Sequence, residues 1–430
     1  MRIKLLLISL RDRFLDSDRV MPPIGIMSLQ SYITSKGFSC NIENDFDFNN
    51  TSKYACYTHF GISCMTPQKD EALDVLYAIK NVFPEKKVII GGPHPTFYLE
   101  DCIKESFDYI VTGDGEFALE SILLQKDNLG RVLNQPVSEK EMNLFPLPYR
   151  ESNFLKQYNF DIQGLSASTI LTAKGCPMGC RFCEDAGTKV RLYTPERVDR
   201  QIEQILKAGY ESVMFFDDIF TLSMKRVREL TEVIKRHNIY FRCFGHARSL
   251  TNEMAEMLAD AGCIEIGFGA ESGAQEILDR IDKRTTVGQN RNFVEVCNKN
   301  GIKVKAFILL GLPGENHKTL SKTEDFLSYL MEHKISTKAA YALTNDFDIT
   351  VFFPYKGTCL RKMIDECKEN IDLFFSKDPE SYIGVYKGRG GYADTVVRTS
   401  ALSAFDIAQA QKSMLEKYKA KVCVPVKVDY

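Results

Sequence analysis

Three of the 13 cysteines stand together in Cys176-Pro177-Met178-Gly179-Cys180-Arg181-Phe182-Cys183, a CxxxCxxC run among small and turn-forming residues. A loop of that kind can wrap three sulfurs around one metal centre. A structural zinc site takes four protein ligands, and no neighbouring Cys or His offers the fourth. A disulfide would leave one thiol over. A four-iron cluster can be held by three thiolates, which keeps one iron open for a small ligand. The spacing alone leaves cluster, zinc and plain packing open. The other ten cysteines, at 40, 56, 64, 102, 243, 263, 297, 359, 367 and 423, are scattered singly and read as small buried side chains.

A second set of residues lies at the ends of apolar runs nearer the amino terminus: Ile62-Ser63-Cys64-Met65-Thr66, Gly91-Gly92-Pro93-His94-Pro95-Thr96 and Gly113-Asp114-Gly115-Glu116. Glycine pairs let backbone approach a bulky ligand, and a helix amino terminus can receive a phosphate. Taken singly, each reads equally well as a tight turn.

The elements that must position these residues follow from periodicity. Up to about residue 145, strands are predicted at Ile3–Leu10, Ser39–Glu43, His59–Ser63, Lys87–Ile90 and Asp108–Val111, with a helix from Ile24 to the Gly37 stop and others at Gln68–Phe83 and Glu116–Leu124. Such a βα series folds as a doubly wound sheet, whose ligands sit beyond the carboxyl ends of its strands. The Pro-rich segment Asn143–Arg150 reads as a linker. A second series follows, with strands at Ser168–Thr172, Ser212–Phe216, Tyr240–Phe244, Cys263–Phe268 and Lys303–Leu310. Its helices are predicted at Pro195–Ala208, Met224–His237, Asn252–Ala261, Val287–Asn300 and His317–His333. That sheet should curl toward a barrel. Beyond residue 335 the alternation weakens; Lys387–Tyr392 reads as a loop and Ser403–Tyr418 as a last helix.

Composition narrows the class. A length of 430 residues suits two domains. Lys+Arg of 55 against Asp+Glu of 57 counts against a broadly basic nucleic-acid binder. An odd cysteine number in so long a chain is unlike a secreted disulfide scaffold. The apolar run Leu5–Leu10 is too short for a signal peptide and is followed by Arg11-Asp12-Arg13. No stretch reaches the roughly 18 apolar residues of a membrane span. The expectation is a cytoplasmic protein with reduced thiols and neither membrane nor nucleic acid as partner.

Cys176, Cys180 and Cys183, with Phe182 before the last, resemble the signature of radical S-adenosylmethionine (SAM) enzymes. The likeness continues through Phe215-Phe216-Asp217-Asp218-Ile219-Phe220, Gly245-His246-Ala247-Arg248, Gly267–Gly273 and Phe307–Glu315, each at the carboxyl end of a predicted strand. It implies a [4Fe-4S] cluster whose open iron chelates SAM, and cleavage to a 5′-deoxyadenosyl radical. By position, Phe182 and Gly311-Leu312-Pro313 would flank adenine, while Asp217, Asp218, Arg248 and Glu271 would hold the methionine end and ribose, with Gly269 a further SAM contact. Helix capping is the plain alternative for Asp217 and Asp218, and an ordinary turn for Gly311–Gly314.

The amino-terminal motifs, with Pro22-Pro23-Ile24-Gly25, resemble the cobalamin-binding domain that precedes the radical domain in cobalamin-dependent radical SAM enzymes. The cobalamin contacts this implies are Pro23, Gly25, Ser63, Cys64, Met65, Thr66, Gly91, Gly92, Pro93, His94, Gly113, Gly115 and Glu116. The DxHxxG loop that gives cobalt a histidine elsewhere is absent, since Arg11–Val20 contains no His; His94 is placed for hydrogen bonding instead. The implied class is α/β: a Rossmann-like doubly wound cobalamin domain (1–145), a linker (146–165), a partial (β/α)6 radical SAM barrel (166–335) and a short α+β extension (336–430). The implied reaction is oxygen-sensitive methylation of an unactivated carbon, on a small-molecule or peptide substrate, with a donor such as flavodoxin or ferredoxin supplying electrons. Relatives that cyclise or rearrange keep a second reaction open. A non-catalytic corrinoid carrier with a zinc knuckle is a third reading. Arg389, Tyr392 and Arg398 are polar candidates for substrate choice in the tail, with plain surface exposure the first explanation for each.

Overall fold

The computed structural model describes residues 3–11, 19–341, 343–367, 370–385, 395–419 and 426–427. The chain divides into two compact units, Met1–Tyr158 with Ile383–Val385, and Asn159–Tyr382 with Tyr386–Tyr430.

In the first unit the predicted strands form β1 (Lys4–Ser9), β2 (Ser39–Glu43), β3 (His59–Ser63), β4 (Lys87–Gly91) and β5 (Tyr109–Val111). A two-residue β6 (Val132–Leu133) extends the sheet, and helices α1 (Ile24–Ser35), α2 (Lys69–Val82) and α3 (Glu116–Leu123) connect it. The sheet is parallel throughout, in the order β2-β1-β3-β4-β5-β6. Because the order reverses between β1 and β3, the topological switch point lies there, and the carboxyl ends of those two strands are where a crevice opens. Continuous apolar runs are needed because both faces are covered. Leu6 and Ile8 go to one core with Val75, Leu76 and Ile79 of α2, and Leu5 and Leu7 to another with Ile33 of α1 and Leu119 and Ile122 of α3. The Pro-rich segment is not a free linker, and the unit runs on to Tyr158, past the expected boundary at 145. Its apolar residues fold back: the Phe145 ring lies 4.5 Å from Tyr32, and the Tyr149 N–H donates to the Met27 carbonyl at 3.0 Å.

The second unit is built on a seven-stranded sheet of β7 (Asp161–Ile162), β8 (Leu165–Ile170), β9 (Ser212–Phe215), β10 (Tyr240–Gly245), β11 (Cys263–Glu271), β12 (Lys303–Leu310) and β13 (Asp346–Val351), side by side in chain order. All neighbours are parallel except β7, which pairs antiparallel with β8. The crossover helices are α4 (Pro195–Lys207), α5 (Met224–Lys235), α6 (Asn252–Asp260), α7 (Val287–Lys299) and α8 (His317–Glu332). Each starts where a Ser, Thr or Asn side chain accepts from the first turn: Thr194, Ser223, Thr251, Thr286 and Asn316. Six parallel strands make the partial (β/α)6 barrel, but the sixth, β13, lies beyond the expected limit of 335. Its Asp346 and Asp348 interrupt the apolar pattern because they pair with Lys305, at 3.7 and 3.0 Å. The last helix, α9 (Ala404–Tyr418), packs on this strand, with Gln411 donating to the Ile349 carbonyl at 2.9 Å.

One expectation changes in detail. Cys56, Cys359 and Cys367 are exposed rather than buried, whereas Cys40, Cys64, Cys102, Cys243, Cys263 and Cys297 are buried. Arg398 is exposed, its guanidinium 4.8 Å from the Phe374 ring centre; Arg389, Tyr392 and Cys423 lie outside the described residues. No helix among the described residues is long and apolar enough to cross a membrane.

Candidate cofactor sites

The cysteine loop leaves the carboxyl end of β8 and is tied down before the first sulfur. Asp217, just beyond β9, is 1% exposed, and its carboxylate accepts from the Thr172 N–H at 2.5 Å, the Ala173 N–H at 3.1 Å and the Thr172 hydroxyl. Burial pushes this carboxyl up to about 6, against those hydrogen bonds. Arg226 donates to the Thr172 and Tyr193 carbonyls at 2.9 and 2.7 Å. Further along, the Cys176 N–H donates to the Thr188 hydroxyl at 2.9 Å and the Arg181 N–H to the Ile281 carbonyl at 3.0 Å. Held this way, Cys176, Cys180 and Cys183 line one cavity of about 250 Å³ together with Phe182, Asp218, Phe244, His246, Phe268, Gly269, Glu271, Lys283 and Phe307. Among the described residues no three His, Cys, Asp or Glu side chains converge on a single ion. A wall of three thiols around an open space suits a cluster better than one tetrahedral zinc.

The same cavity contains a buried ion pair. Lys283 Nζ lies 2.7 Å from Glu271 Oε1, and both residues are 7% exposed. Burial opposes the Lys283 charge, but Glu271 together with the Cys180 and Cys183 thiols outweighs it and the net pKa is raised. Glu271 has φ of +59°, where the register between β11 and β12 shifts. A Cβ on Gly269 would fall 2.0 Å from Glu271 Oε1 and 2.7 Å from Lys283 Nζ, so the pair occupies the space a side chain at 269 would need. Desolvating two charges costs several kcal/mol per ion, and a pair is weak evidence of stability. Beside the thiols it presents one charge of each sign, the complement of a zwitterionic amino acid.

Of the expected SAM contacts, Phe182, Asp218, Gly269 and Glu271 come together here with the three cysteines. Asp217 does not line the cavity, because its oxygens are taken by the base of the loop. Arg248 is exposed, and only its backbone N–H turns inward, to His246 Nδ1 at 3.2 Å. Gly311, Leu312 and Pro313 are buried behind β12, where the Gly311 N–H donates to Glu315 Oε2 at 2.6 Å and Val397 and Ile407 close over Gly311. Sequence reasoning missed Lys283, since Asp282-Lys283-Arg284 looks like a solvated charge run, and gave His246 no role within its motif.

In the first unit a cavity of about 220 Å³ opens at the carboxyl ends of β1 and β3, the switch point. Pro23, Gly25, Ser63 and Met65 line it, joined by Ser9, Leu10, Arg19, Asn44, Asp45, Gln68 and Tyr158. Gln68 pins the two strand ends together: its Oε1 accepts from the Met65 N–H at 2.9 Å, and its Nε2 donates to the Arg11 carbonyl at 3.2 Å. Cys64 and Thr66 are buried beside the wall. Gly91 ends β4 and Gly92, Pro93 and His94 follow it, off this cavity. Gly92 has φ of +103°, and a Cβ there would meet the Cys64 carbonyl oxygen at 2.9 Å. His94 is buried and stacked on Tyr98 at 5.2 Å. Gly113, Gly115 and Glu116 follow β5, where the Gly113 N–H donates to the Thr96 hydroxyl at 3.1 Å.

Known families match both units. The B12 binding domain model covers residues 13–123, and that of the Radical SAM superfamily covers residues 170–327. The chain belongs to the cobalamin-dependent radical SAM enzymes. An uncharacterized methyltransferase of Pyrococcus horikoshii is 26% identical over 79% of this chain and 77% of its own length. The anaerobic magnesium-protoporphyrin IX monomethyl ester cyclase of Rubrivivax gelatinosus is 25% identical over 70% of this chain, which spans only 61% of that relative. In fold, the cobalamin-dependent SAM radical enzyme OxsB, solved with aqua-cobalamin and SAM, superposes with a TM-score of 0.74 at 18% identity over 96% of this chain and 67% of its own. The cofactors of this radical SAM enzyme are accordingly a [4Fe-4S] cluster, SAM and cobalamin. The residues present fit them: three thiols around one open cavity for the cluster, a buried charge pair beside them for SAM, and a switch-point crevice for the corrinoid.

Proposed function

We propose that this enzyme methylates an unactivated carbon of a small-molecule or peptide substrate, with Cys176, Cys180 and Cys183 holding the cluster and the β1/β3 crevice receiving part of the cobalamin. The three thiols sharing one wall with the Glu271–Lys283 pair carry this reading. Bound there, the cofactors supply a 5′-deoxyadenosyl radical and a transferable methyl group. The chain itself orients and shields. Glu271 receives the SAM ammonium and Lys283 its carboxylate, Phe182, Phe244, Phe268 and Phe307 keep water from the reactive centre, and Asp217 fixes the cysteine loop. Gly91–His94 and Gly113–Glu116 are assigned to the remainder of the corrinoid, and Arg248 and Gly311–Pro313 to support of the SAM pocket. A low-potential flavodoxin or ferredoxin in the cytoplasm is the fitting electron source.

The test is anaerobic. Protein reconstituted with iron, sulfide and hydroxocobalamin, given dithionite and SAM, should form 5′-deoxyadenosine and, with substrate, S-adenosylhomocysteine. Deoxyadenosine without S-adenosylhomocysteine or methylated product, across substrates that are consumed, would favour the second reading. That reading, cyclisation, is supported by the likeness to the ester cyclase.

A further inference from the structure

His246 is a buried side chain in the cavity wall whose role neither the cluster nor the charge pair explains. It follows β10 directly, lines the cavity of the three cysteines and is 6% exposed. Its backbone is fixed on both sides: the N–H donates to the Thr221 hydroxyl at 3.3 Å, and the carbonyl accepts the Ser249 N–H at 3.0 Å and the Ser249 hydroxyl at 3.1 Å. The ring is fixed as well, since the Arg248 backbone N–H donates to Nδ1 at 3.2 Å. A backbone N–H can only donate, so Nδ1 carries a lone pair and the proton of the neutral ring sits on Nε2. Burial, with the Lys283 and Arg248 charges nearby, pushes the imidazolium down to about 4, which keeps the ring neutral at physiological pH.

That leaves Nε2–H as a donor, and among the described residues it has no hydrogen-bond partner although it is shut away from the surface. An unmade hydrogen bond at a buried donor is costly and calls for an explanation. Water gives a partial one, because Phe182, Phe244, Phe268 and Phe307 of the same cavity wall offer it no strong hydrogen bond. A ligand in the cavity gives a better one. Glu271 and Lys283 are matched to the two charges of an amino acid, and neither offers a neutral donor for the remaining oxygen and nitrogen acceptors of SAM.

We propose that His246 is a SAM-binding residue, donating from Nε2–H to an acceptor atom of the cosubstrate and so helping to set its position in the cavity. The inference rests on the proposed assignment of this cavity to SAM. Arg248, the polar side chain the family resemblance singled out in this motif, then acts through its backbone, by holding the imidazole in the donating tautomer.

The test compares His246→Leu, which removes the donor, with His246→Gln, whose side-chain amide can place an N–H near the Nε2 position. Both are reconstituted anaerobically, their iron content and cluster absorbance checked, and the SAM dissociation constant measured by equilibrium dialysis without reductant, so that binding is read apart from turnover. His246→Leu should bind SAM about tenfold more weakly at unchanged iron content, and His246→Gln should recover most of that loss. A Leu variant with wild-type SAM affinity overturns the proposal, as does a Gln variant no better than Leu. Independently of any variant, the imidazole 15N shifts of the cluster-free wild-type protein, with His246 assigned by its absence from the Gln variant, should show a neutral ring protonated at Nε2. Protonation at Nδ1 overturns the inference. Wild-type protein that loads no iron or binds no SAM fails at the earlier step and refutes the cavity assignment itself, a different result from wild-type binding that the Leu variant leaves unchanged.

Discussion

The two cavities are close in size, about 220 and 250 Å³, yet they are built by opposite means. In the first unit the charged side chains on the wall stand in solvent: the side chains of Arg11 and Asp45 are about half exposed and that of Arg19 a quarter. What is fixed there is backbone, the two strand ends and the loop after β3. In the second unit Asp218 is exposed, but the Glu271–Lys283 pair is buried, and backbone gives way so that its side chains can be placed, as at Gly269 and at the left-handed Glu271. On the proposed assignment the difference follows from the ligands. A corrinoid brings bulk and its own polar groups, so it needs room beside a strand edge; SAM is a smaller sulfonium cation whose zwitterionic amino-acid end must be held in one pose, so its partners have to be desolvated and fixed beforehand.

The sharpest way to break the comparison is Cys180→Ala. The second cavity should lose its cluster, with iron in the reconstituted protein falling to background and deoxyadenosine formation abolished, while cobalamin binding to the first unit stays at the wild-type level. Unchanged deoxyadenosine would sink the cluster assignment. Next comes Gly269→Ala, whose methyl group must displace the Glu271–Lys283 pair. SAM affinity should fall at least tenfold with iron content retained; wild-type affinity in that variant would mean the pair does not touch SAM. Gly92→Ala tests the backbone-built side. The strained φ and the contact with the Cys64 carbonyl should destabilise the first unit by about 1–3 kcal/mol and weaken hydroxocobalamin binding several-fold, leaving iron loading alone. A fall in iron content as large as the fall in cobalamin would erase the distinction between the two sites.

The same contrast explains what the sequence disclosed. Strand positions were legible nearly to the residue, as in His59–Ser63 and Lys303–Leu310, because strands largely buried on both faces write themselves as mostly apolar runs. The cysteine trio was legible because its ligands are close in sequence. Strand β13 was not, since Asp346 and Asp348 are matched to a lysine on another strand and read locally as polar interruptions. Lys283 was hidden for the same reason, its partner lying 12 residues away across a bulge. Arg248 is exposed and reaches His246 through its backbone N–H, since position in a motif does not say whether side chain or backbone faces a site. Asp217 lies at the carboxyl end of its strand, but its hydrogen bonds run to Thr172 and Ala173, 45 and 44 residues earlier.

The smallest expected effect concerns Glu315, a buried ionisable group that supports the second site without lining it. Its side chain is fully buried; Oε2 accepts the Gly311 N–H at 2.6 Å, and among the described residues Oε1 has no partner. Burial pushes the carboxyl up to about 8, with the Gly311 and Leu312 backbone N–H groups acting against the shift. The folded protein therefore keeps this proton between about 4.5, where the unfolded chain releases it, and about 8. In that interval the native state binds more protons than the unfolded one, so stability falls as pH rises, and above about 8 the loss is complete. Glu315→Gln keeps the acceptor for Gly311 and cannot ionise. The variant should match the wild type near pH 5 and exceed it in Tm by a few degrees at pH 8.5, which removes the contribution of other titrating groups because only the difference between the two proteins is read. A difference in Tm that does not change with pH would show that Glu315 is ionised in the folded protein. The charges that stay buried in this unit would then include one with no counter-ion, and the rule drawn from the Glu271–Lys283 pair would not hold beyond the cavity wall.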